Sequence, residues 1–194
     1  MKRLVVSALL ILAGCLATSA HAAGGPVTIL LVGGSGQDVL DIKLSQDGRS
    51  YLVDSLSPLE ADGKICTRPE DSNHQLVCEA VAIAGFEVNA GGGDDSVIIS
   101  PKILIATTLR GGPGNDRLRG GAGDDKLLGG PGDDFLYGMQ GKDWLFGNAG
   151  RDWLLGGGGE DRLVGGAESD YLNGGPGTDT TDLGPKDQAG SKPG

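Results

Sequence analysis

The sequence is poor in aromatic, histidine and basic residues, and each shortage excludes a class of protein. Aromatic residues make up 4% of its 194 residues, so a core built on large side chains is not expected. It has two histidines and no zinc-protease, nucleophile-elbow or phosphate-loop motif. The 16 basic residues are outnumbered by 26 acidic ones, which argues against nucleic acid as a partner. The sequence therefore predicts a protein that is not an enzyme and that binds cations.

Long apolar runs are also missing after the N-terminus. Residues 1–22 have the features of a secretory signal, with a basic start at Met1–Arg3 and an apolar run too short to span a membrane. Two processing sites compete. Ala20-His21-Ala22 predicts cleavage before Ala23, whereas residues 12–15 resemble a bacterial lipobox that would place a lipid anchor on Cys15. Loss of Lys2 and Arg3 takes the net charge from −10 to −12.

These features predict export by the general secretory route. The destination would be the extracellular space, or the outer membrane as a lipoprotein if Cys15 is lipidated. No later segment is apolar enough to form a transmembrane helix.

Two cysteines remain beyond the signal. Because exported proteins fold in an oxidising compartment, Cys66 and Cys78 are predicted to form a disulfide around a polar loop. Such a disulfide would contribute about 3 kcal/mol in the loop-entropy estimate. The alternative is two buried free thiols.

Residues 23–110 predict β-structure without an amphipathic helix. Apolar or alternating segments suited to short strands occur at 27–32, 40–44, 51–53, 81–88, 97–99 and 103–109. Residues 183–194 contain few apolar residues and are expected to be disordered.

Glycine, by contrast, occurs 37 times, and much of it belongs to a repeat. Residues 111–182 form eight consecutive nonapeptides, each starting with glycine. Position eight is leucine in seven units and Thr181 in the last. Position six is always aspartate: Asp116, Asp125, Asp134, Asp143, Asp152, Asp161, Asp170 and Asp179.

This spacing predicts a coil of eighteen residues that stacks on its neighbours. Three residues of each unit suit a short strand whose middle leucine faces a thin core, and the other six suit a glycine-rich turn. Stacked coils would place Asp116 over Asp134, and two adjacent carboxylates repel unless a cation lies between them. Calcium prefers six to eight hard oxygen ligands, which carboxylates and the carbonyls of a glycine turn can supply.

The pattern resembles the RTX family of calcium-binding repeats, G-G-x-G-x-D-x-U-x, in which U is a large apolar residue. The resemblance implies an all-β fold, a parallel β-roll with calcium between stacked turns, and about six ions from eight units. It implies ligands from the eight aspartates and from carbonyls of adjoining glycines, namely Gly111, Gly114, Gly120, Gly123, Gly129 and Gly132.

The motif also occurs twice upstream, which makes Asp38 and Asp95 weaker candidate ligands. These matches favour an irregular solenoid-like extension over residues 23–110 that would cap the roll, and the alternative is an unrelated β-domain. Several units depart from the family pattern, and weaker or missing sites are expected at five of these departures: Met139, Asn148, Glu168, Lys142 and Arg151. The last unit, which has Thr181 at the apolar position, is expected to fray.

Aromatic residues at position seven recur every eighteen residues, as Phe135, Trp153 and Tyr171. They would form an outward ladder, which either shields neighbouring coils or docks a carbohydrate or cell-envelope ligand. The sequence as a whole predicts an exported calcium-binding protein that is a structural or binding module. The alternative is an accessory or adhesion partner of a separate secreted enzyme or envelope component. A disordered linker is disfavoured because a linker needs no leucine every nine residues.

Overall fold

A computed structural model describes residues 15–19, 27–55, 59–60, 66–67, 69–71, 74–79 and 83–190. Within these ranges the regular structure is entirely β, and no helix suited to crossing a membrane occurs there. Ten strands precede the repeats: β1 Cys15–Ser19, β2 Val27–Val32, β3 Val39–Leu44, β4 Ser50–Ser55, β5 Leu59–Glu60, β6 Cys66–Thr67, β7 Gln75–Glu79, β8 Ile83–Asn89, β9 Ser96–Ile99 and β10 Thr107–Arg110. Nine follow: β11 Arg117–Arg119, β12 Lys126–Pro131, β13 Phe135–Gln140, β14 Trp144–Ala149, β15 Trp153–Gly158, β16 Arg162–Ala167, β17 Tyr171–Asn173, β18 Thr180–Asp182 and β19 Gln188–Ala189.

The chain alternates between two sheets from β8 onward. Sheet 1 has the order β18-β16-β14-β12-β10-β8-β2-β1-β5, and sheet 2 has the order β19-β17-β15-β13-β11-β9-β3-β4-β7-β6. Strands from β8 to β19 pair in parallel with the strand two positions along the chain. The predicted parallel β-solenoid is therefore confirmed.

The coil has the predicted length of eighteen residues. In sheet 2, Leu136 lies opposite Leu154, and in sheet 1 Leu127 lies opposite Leu145. The seven repeat leucines, from Leu118 to Leu172, are at most 1% exposed, whereas the position-seven side chains next to most of them face solvent. Burial of each leucine contributes about 2 kcal/mol, so the core is thin but continuous.

The strands of the central units are longer than the three residues expected. β12 to β16 each span six residues and run on into the first three positions of the following unit. The pairing continues because the glycine-rich backbone stays in register: Gly130 lies opposite Asn148, and Met139 opposite Gly157.

Strands of residues 27–110 extend the same two sheets. β2 pairs in parallel with β8, and β3 pairs in parallel with β9, so the stacking of the repeats continues into this region. Beyond β3, strands β4, β7 and β6 are antiparallel and end sheet 2, while β1 pairs antiparallel with β2 in sheet 1. Antiparallel pairing therefore begins next to β2 in sheet 1 and next to β3 in sheet 2, at the N-terminal end of the solenoid.

Three expectations differ from the structure or lie outside it. Strand 103–109 is shorter, because residues 101–106 form an irregular turn that buries Ile103. Residues 183–190 were expected to be disordered, yet β19 adds a parallel strand next to β17. Most of the signal at 1–22 and the last four residues lie outside the described residues.

Candidate metal centre

Successive glycine-rich turns lie on top of one another in two columns. The long turn stack leads into sheet 2 and consists of turns 33–38, 90–95, 111–116, 129–134, 147–152, 165–170 and 184–187. The short turn stack leads into sheet 1 and consists of turns 102–107, 120–125, 138–143, 156–161 and 174–179. Since the strands are in register, the sixth positions of neighbouring turns stack within each column.

One carboxylate oxygen of each stacked aspartate is bound to the neighbouring coil. The backbone N–H of Asp116 donates to Asp134 Oδ1 at 2.7 Å, and that of Asp134 donates to Asp152 Oδ1 at 2.8 Å. The short turn stack repeats this contact from Asp125 to Asp143 at 2.8 Å. Each aspartate side chain therefore tethers the preceding coil through a buried hydrogen bond.

The second carboxylate oxygen has no such partner in the middle of the stacks. Among the described residues, seven buried Oδ2 atoms accept no hydrogen bond, although their side chains are at most 2% exposed. An unsatisfied buried polar atom costs about 1–3 kcal/mol, and a charged one costs more. Five belong to the long turn stack and two to the short turn stack: Asp95, Asp116, Asp134, Asp152 and Asp170, then Asp143 and Asp161.

Backbone oxygens converge on the same points because the first glycine of each turn has no side chain. A Cβ on Gly129 would collide with Asp134 Oδ2 and would lie 2.9 Å from the carbonyl oxygen of Gly147 in the next coil. The same holds at Gly138, where a Cβ would collide with Asp143 Oδ2 and the carbonyl oxygen of Gly156 would be 2.6 Å away. The absence of a Cβ leaves room at which a carboxylate oxygen and a carbonyl oxygen meet.

Burial makes these carboxylates hard to ionise without a counter-charge. Desolvation, followed by repulsion from stacked carboxylates, raises the pKa of Asp134 and Asp143 to about 7 despite the stabilising N–H donors. The pKa values of Asp116, Asp152 and Asp161 rise to about 6 for the same leading reason. A bound divalent cation would supply the missing positive charge.

Aspartates at the stack ends are partnered differently. Oδ2 of Asp38 accepts the Gly34 N–H, and Oδ2 of Asp187 accepts the Gly184 N–H, both at 2.7 Å. Asp125, the first aspartate of the short turn stack, accepts the Gly121 N–H at 2.7 Å as well as the backbone N–H and the hydroxyl of Thr107. These three carboxylates are satisfied by the protein itself.

The sequence departures fall into two kinds. Met139, Asn148 and Glu168 replace glycine and adopt φ values of 89°, 83° and 77°, which L-residues disfavour. Lys142 and Arg151 instead point along the outside of the turns, where they pair with Glu160 at 2.6 Å and Asp133 at 2.7 Å. Their charges are therefore engaged by acids outside the buried oxygens of Asp143 and Asp152.

The donor set suits a hard cation. Within the described part of the chain, no three carboxylate, imidazole or thiol side chains converge as a metal cluster, so most ligands must be backbone carbonyls. Oxygen-only donors with few carboxylates fit calcium, whereas zinc prefers histidine or cysteine. The buried Oδ2 atoms without a partner and the carbonyl oxygens beside the first glycine of each turn therefore both favour calcium.

Two other predicted groups can be placed. Phe135, Trp153 and Tyr171 are in register on sheet 2, with the Trp153 and Tyr171 ring centroids 5.2 Å apart. Cys66 lies directly opposite Cys78 in the antiparallel pair of β6 and β7. The disulfide stays a prediction, which this register favours.

Sequence reasoning missed Asp187, which continues the long turn stack. Its Oδ1 accepts the Asp170 N–H at 3.2 Å. The signal was a spacing of seventeen residues from Asp170 rather than eighteen. Reasoning on the repeat period alone therefore stopped one turn too early.

Comparison with known proteins agrees with this geometry over the repeats. The model of the RTX calcium-binding nonapeptide repeat matches the chain four times, at residues 106–136, 128–163, 137–171 and 155–185. Searches of the curated proteins and of the solved structures each found no match.

Proposed function

Since residues 106–185 carry RTX calcium-binding nonapeptide repeats, we propose that this chain is an exported binding or structural module whose roll is stabilised by calcium. The observation that carries the proposal is the set of seven buried Oδ2 atoms without a partner, each of which belongs to a stacked turn. Without a cation these atoms oppose folding, because they are buried at a cost and repel one another.

The energies are large enough for calcium to govern folding. Each ion at tenfold its dissociation constant adds about 1.4 kcal/mol, so six would add roughly 8 kcal/mol. The free energy of unfolding of a whole domain is about 5–15 kcal/mol. Extracellular calcium suits sites with dissociation constants of about 10⁻⁴–10⁻³ M, and a low-calcium cytoplasm would leave the acidic repeats unfolded for export.

The sites are unequal and extend beyond the matched repeats. The long turn stack offers five orphaned oxygens, including that of Asp95, which lies upstream of residue 106. The Asp38 N–H donates to Asp95 Oδ1 at 2.7 Å, so turn 33–38 closes this column from a distance of 57 residues in sequence. We assign the candidate ligands to both columns, with glycine carbonyls completing each site.

The export route is the general secretory pathway, and the protein ends outside the cell or as an outer-membrane lipoprotein anchored at Cys15. A non-enzymatic role follows from the lack of catalytic motifs and from a site built for a structural cation. Adhesion or an accessory role is the second candidate, favoured by the exposure of Phe135 and Trp153.

The test is to titrate calcium into the chelator-treated mature chain and to record its far-UV circular dichroism spectrum and its thermal unfolding. Calcium should increase the β-sheet signal and the melting temperature. Identical spectra with and without calcium would refute the proposal.

The upstream site has its own matched pair of variants. Asp95→Asn should lower the calcium stoichiometry by about one ion, because it removes the orphaned carboxylate. Asp47→Asn makes the same substitution in the hairpin turn between β3 and β4, outside both turn stacks, and should leave the stoichiometry unchanged. Equal stoichiometry in both variants would confine the sites to residues 106–185.

A further inference from the structure

Charge is segregated between the turns and the strand faces of the roll. Acidic residues lie in the turns, whereas the outward strand positions seven and nine contain no acid from residue 117 to residue 173. In a chain of net charge −10, these faces carry only basic, aromatic, aliphatic or amide side chains. On sheet 2 they are Arg117, Arg119, Phe135, Tyr137, Trp153, Leu155, Tyr171 and Asn173.

A cleft follows the boundary between this face of sheet 2 and the long turn stack. Its volume is about 460 Å³. The sheet wall is formed by Arg117, Phe135 and Trp153, which lie opposite one another on neighbouring strands about 4.8 Å apart. The turn wall is formed by Asn115, Asp133, Arg151 and Ser169, and the buried calcium-ligand candidates Asp116 and Asp134 also line the cleft.

The two walls offer complementary chemistry. Trp153 is 57% exposed and Phe135 is 37% exposed, so two ring surfaces are open to solvent. Across the cleft, Arg151 pairs with Asp133 at 2.7 Å, and the Asp133 N–H donates to Asn115 Oδ1 at 2.9 Å. Donors and acceptors are thereby held in a row beside the aromatic wall.

Arg117 is the second basic side chain of the cleft. Among the described residues it forms no ion pair, although the other basic side chain of the cleft, Arg151, does. A free guanidinium next to aromatic rings is suited to a carboxylate carried on an apolar scaffold, because guanidinium binds carboxylate through two parallel hydrogen bonds.

We propose that this cleft binds an extended glycan chain that bears carboxylates, lying across the strands beside the long turn stack. Sugar rings would stack on Phe135 and Trp153, their hydroxyls would bond to the turn wall, and a uronate carboxylate would pair with Arg117. A linear cleft built from one residue per strand suits a polymer of repeating units. The polar turn wall distinguishes it from a surface for membranes, which needs no row of donors and acceptors.

The opposite face of the roll provides a matched control. Trp144 holds the equivalent position on sheet 1 and is 49% exposed. There, however, the Arg162 guanidinium lies 5.6 Å from the Trp144 ring and the Lys126 ammonium 5.7 Å from the Phe146 ring. These cations are engaged with the protein's own aromatic rings, so this face is not expected to bind the same ligand.

The proposal rests on the calcium function, because the cleft walls come from calcium-binding turns. The experiment therefore uses the mature chain at saturating calcium, after its calcium stoichiometry has been measured. A short oligogalacturonide and its carboxyl-reduced, uncharged counterpart are titrated by calorimetry into the wild type, Trp153→Ala, Arg117→Gln and Trp144→Ala. Melting temperature and calcium stoichiometry are recorded for every variant.

The wild type should bind the oligogalacturonide and bind the uncharged counterpart at least about tenfold more weakly. Trp153→Ala and Arg117→Gln should each lose about tenfold in affinity, while Trp144→Ala binds as the wild type does. All four proteins should keep their calcium stoichiometry.

Failure here is distinguishable from failure of the calcium function. A chain that binds calcium but not the oligogalacturonide overturns only the glycan proposal. Equal losses in Trp153→Ala and Trp144→Ala, or equal affinity for charged and uncharged oligosaccharides, also overturn it. Preferential binding to vesicles of anionic lipid would assign the face to a membrane surface instead.

Discussion

The long and short turn stacks are built from alternating units of one repeat, yet they differ in how their carboxylates are satisfied. In the long turn stack five buried Oδ2 atoms lack a partner, and in the short turn stack only two do. The difference arises at the ends. Turn 90–95 continues the long column upstream with another glycine-rich turn, whereas the short column begins with turn 102–107, in which residues 103–106 are apolar.

The apolar turn changes the coil beneath it. The Ala122 N–H donates to the carbonyl oxygen of Ile103 at 2.7 Å, and Thr107 occupies the position that aspartate holds elsewhere. Thr107 donates two hydrogen bonds to Asp125 and can offer no second carboxylate. The second oxygen of Asp125 accepts the N–H of Gly121 in the same turn. A repeat sequence therefore encodes a candidate ligand, and the hydrogen bonds within its turn decide whether that ligand needs a cation.

The largest expected effect on this comparison is that of pH on the calcium-free protein. The pKa values of Asp116, Asp134 and Asp152 are raised by burial from 3.8 to about 6, about 7 and about 6. The folded state then holds protons that the unfolded state has lost, so their contribution to stability is complete below about pH 4 and disappears as pH rises through 6–7. Without calcium, the roll should be more stable at about pH 5 than at about pH 8 by several kcal/mol.

Hydrogen exchange of the chelator-treated chain, corrected for intrinsic rates at each pH, measures this effect by segment. Turn 129–134 should lose more protection than turn 120–125, since Asp125 is satisfied by the protein. Protection that is independent of pH, or that falls more in turn 120–125, would contradict the comparison.

A smaller effect should separate Asp134→Asn from Asp125→Asn. Asp134→Asn removes a buried charge that has no partner, so it should stabilise the calcium-free chain at about pH 8. In saturating calcium it should lower the free energy of unfolding by about 1–2 kcal/mol, because a calcium ligand is lost. Asp125→Asn should cost about 1–2 kcal/mol in both conditions, because an amide oxygen cannot replace the carboxylate that accepts three hydrogen bonds.

Urea denaturation of both variants with and without calcium gives the four values needed. The shift of the urea midpoint without calcium decides, because the two variants are expected to move it in opposite directions. Midpoints that shift in the same direction would show that Asp134 and Asp125 contribute to stability in the same way.

The smallest effect concerns two substitutions for glycine at the same repeat position. Met139 in the short turn stack has φ 89°, and Asn148 in the long turn stack has φ 83°. Met139→Gly should raise stability in calcium by about 1 kcal/mol, since positive φ is costly for most L-residues. Asn148→Gly should raise it less, because asparagine tolerates this conformation.

Thermal melts in saturating calcium test this order. Wild-type chain melted alongside serves as the reference, and Gln140→Gly, at an adjacent residue without positive φ, is the control that should not gain stability. A melting temperature that falls in Met139→Gly would show that the contact between Met139 Sδ and Arg119 Nε, 3.2 Å long, outweighs the backbone strain.

Most of the roll could be predicted from the repeat, whereas the contacts of its exposed turn residues could not. The period of nine predicted the coil of eighteen residues, and the leucines at position eight predicted the core that Leu136 and Leu154 form. Lys142 and Arg151 bind acids one coil away, Glu160 and Asp133, and these partners are not sequence neighbours. The weaker sites expected beside these two residues stay a prediction.

The sequence by itself determined the parallel stacking, the aspartate columns and the hard-oxygen character of the site. These properties follow from a strict period, and a period needs no knowledge of distant residues. Only the tertiary structure decided which carboxylates are left without a partner, because that depends on whether a backbone N–H of the same turn reaches the second carboxylate oxygen. Such an N–H reaches Asp38, Asp125 and Asp187, in turns at the ends of the stacks. The nonapeptides that predict calcium binding are therefore alike in sequence and unequal in need of the ion, since the backbone conformation of each turn, which the period does not specify, sets the hydrogen bonding of its carboxylate.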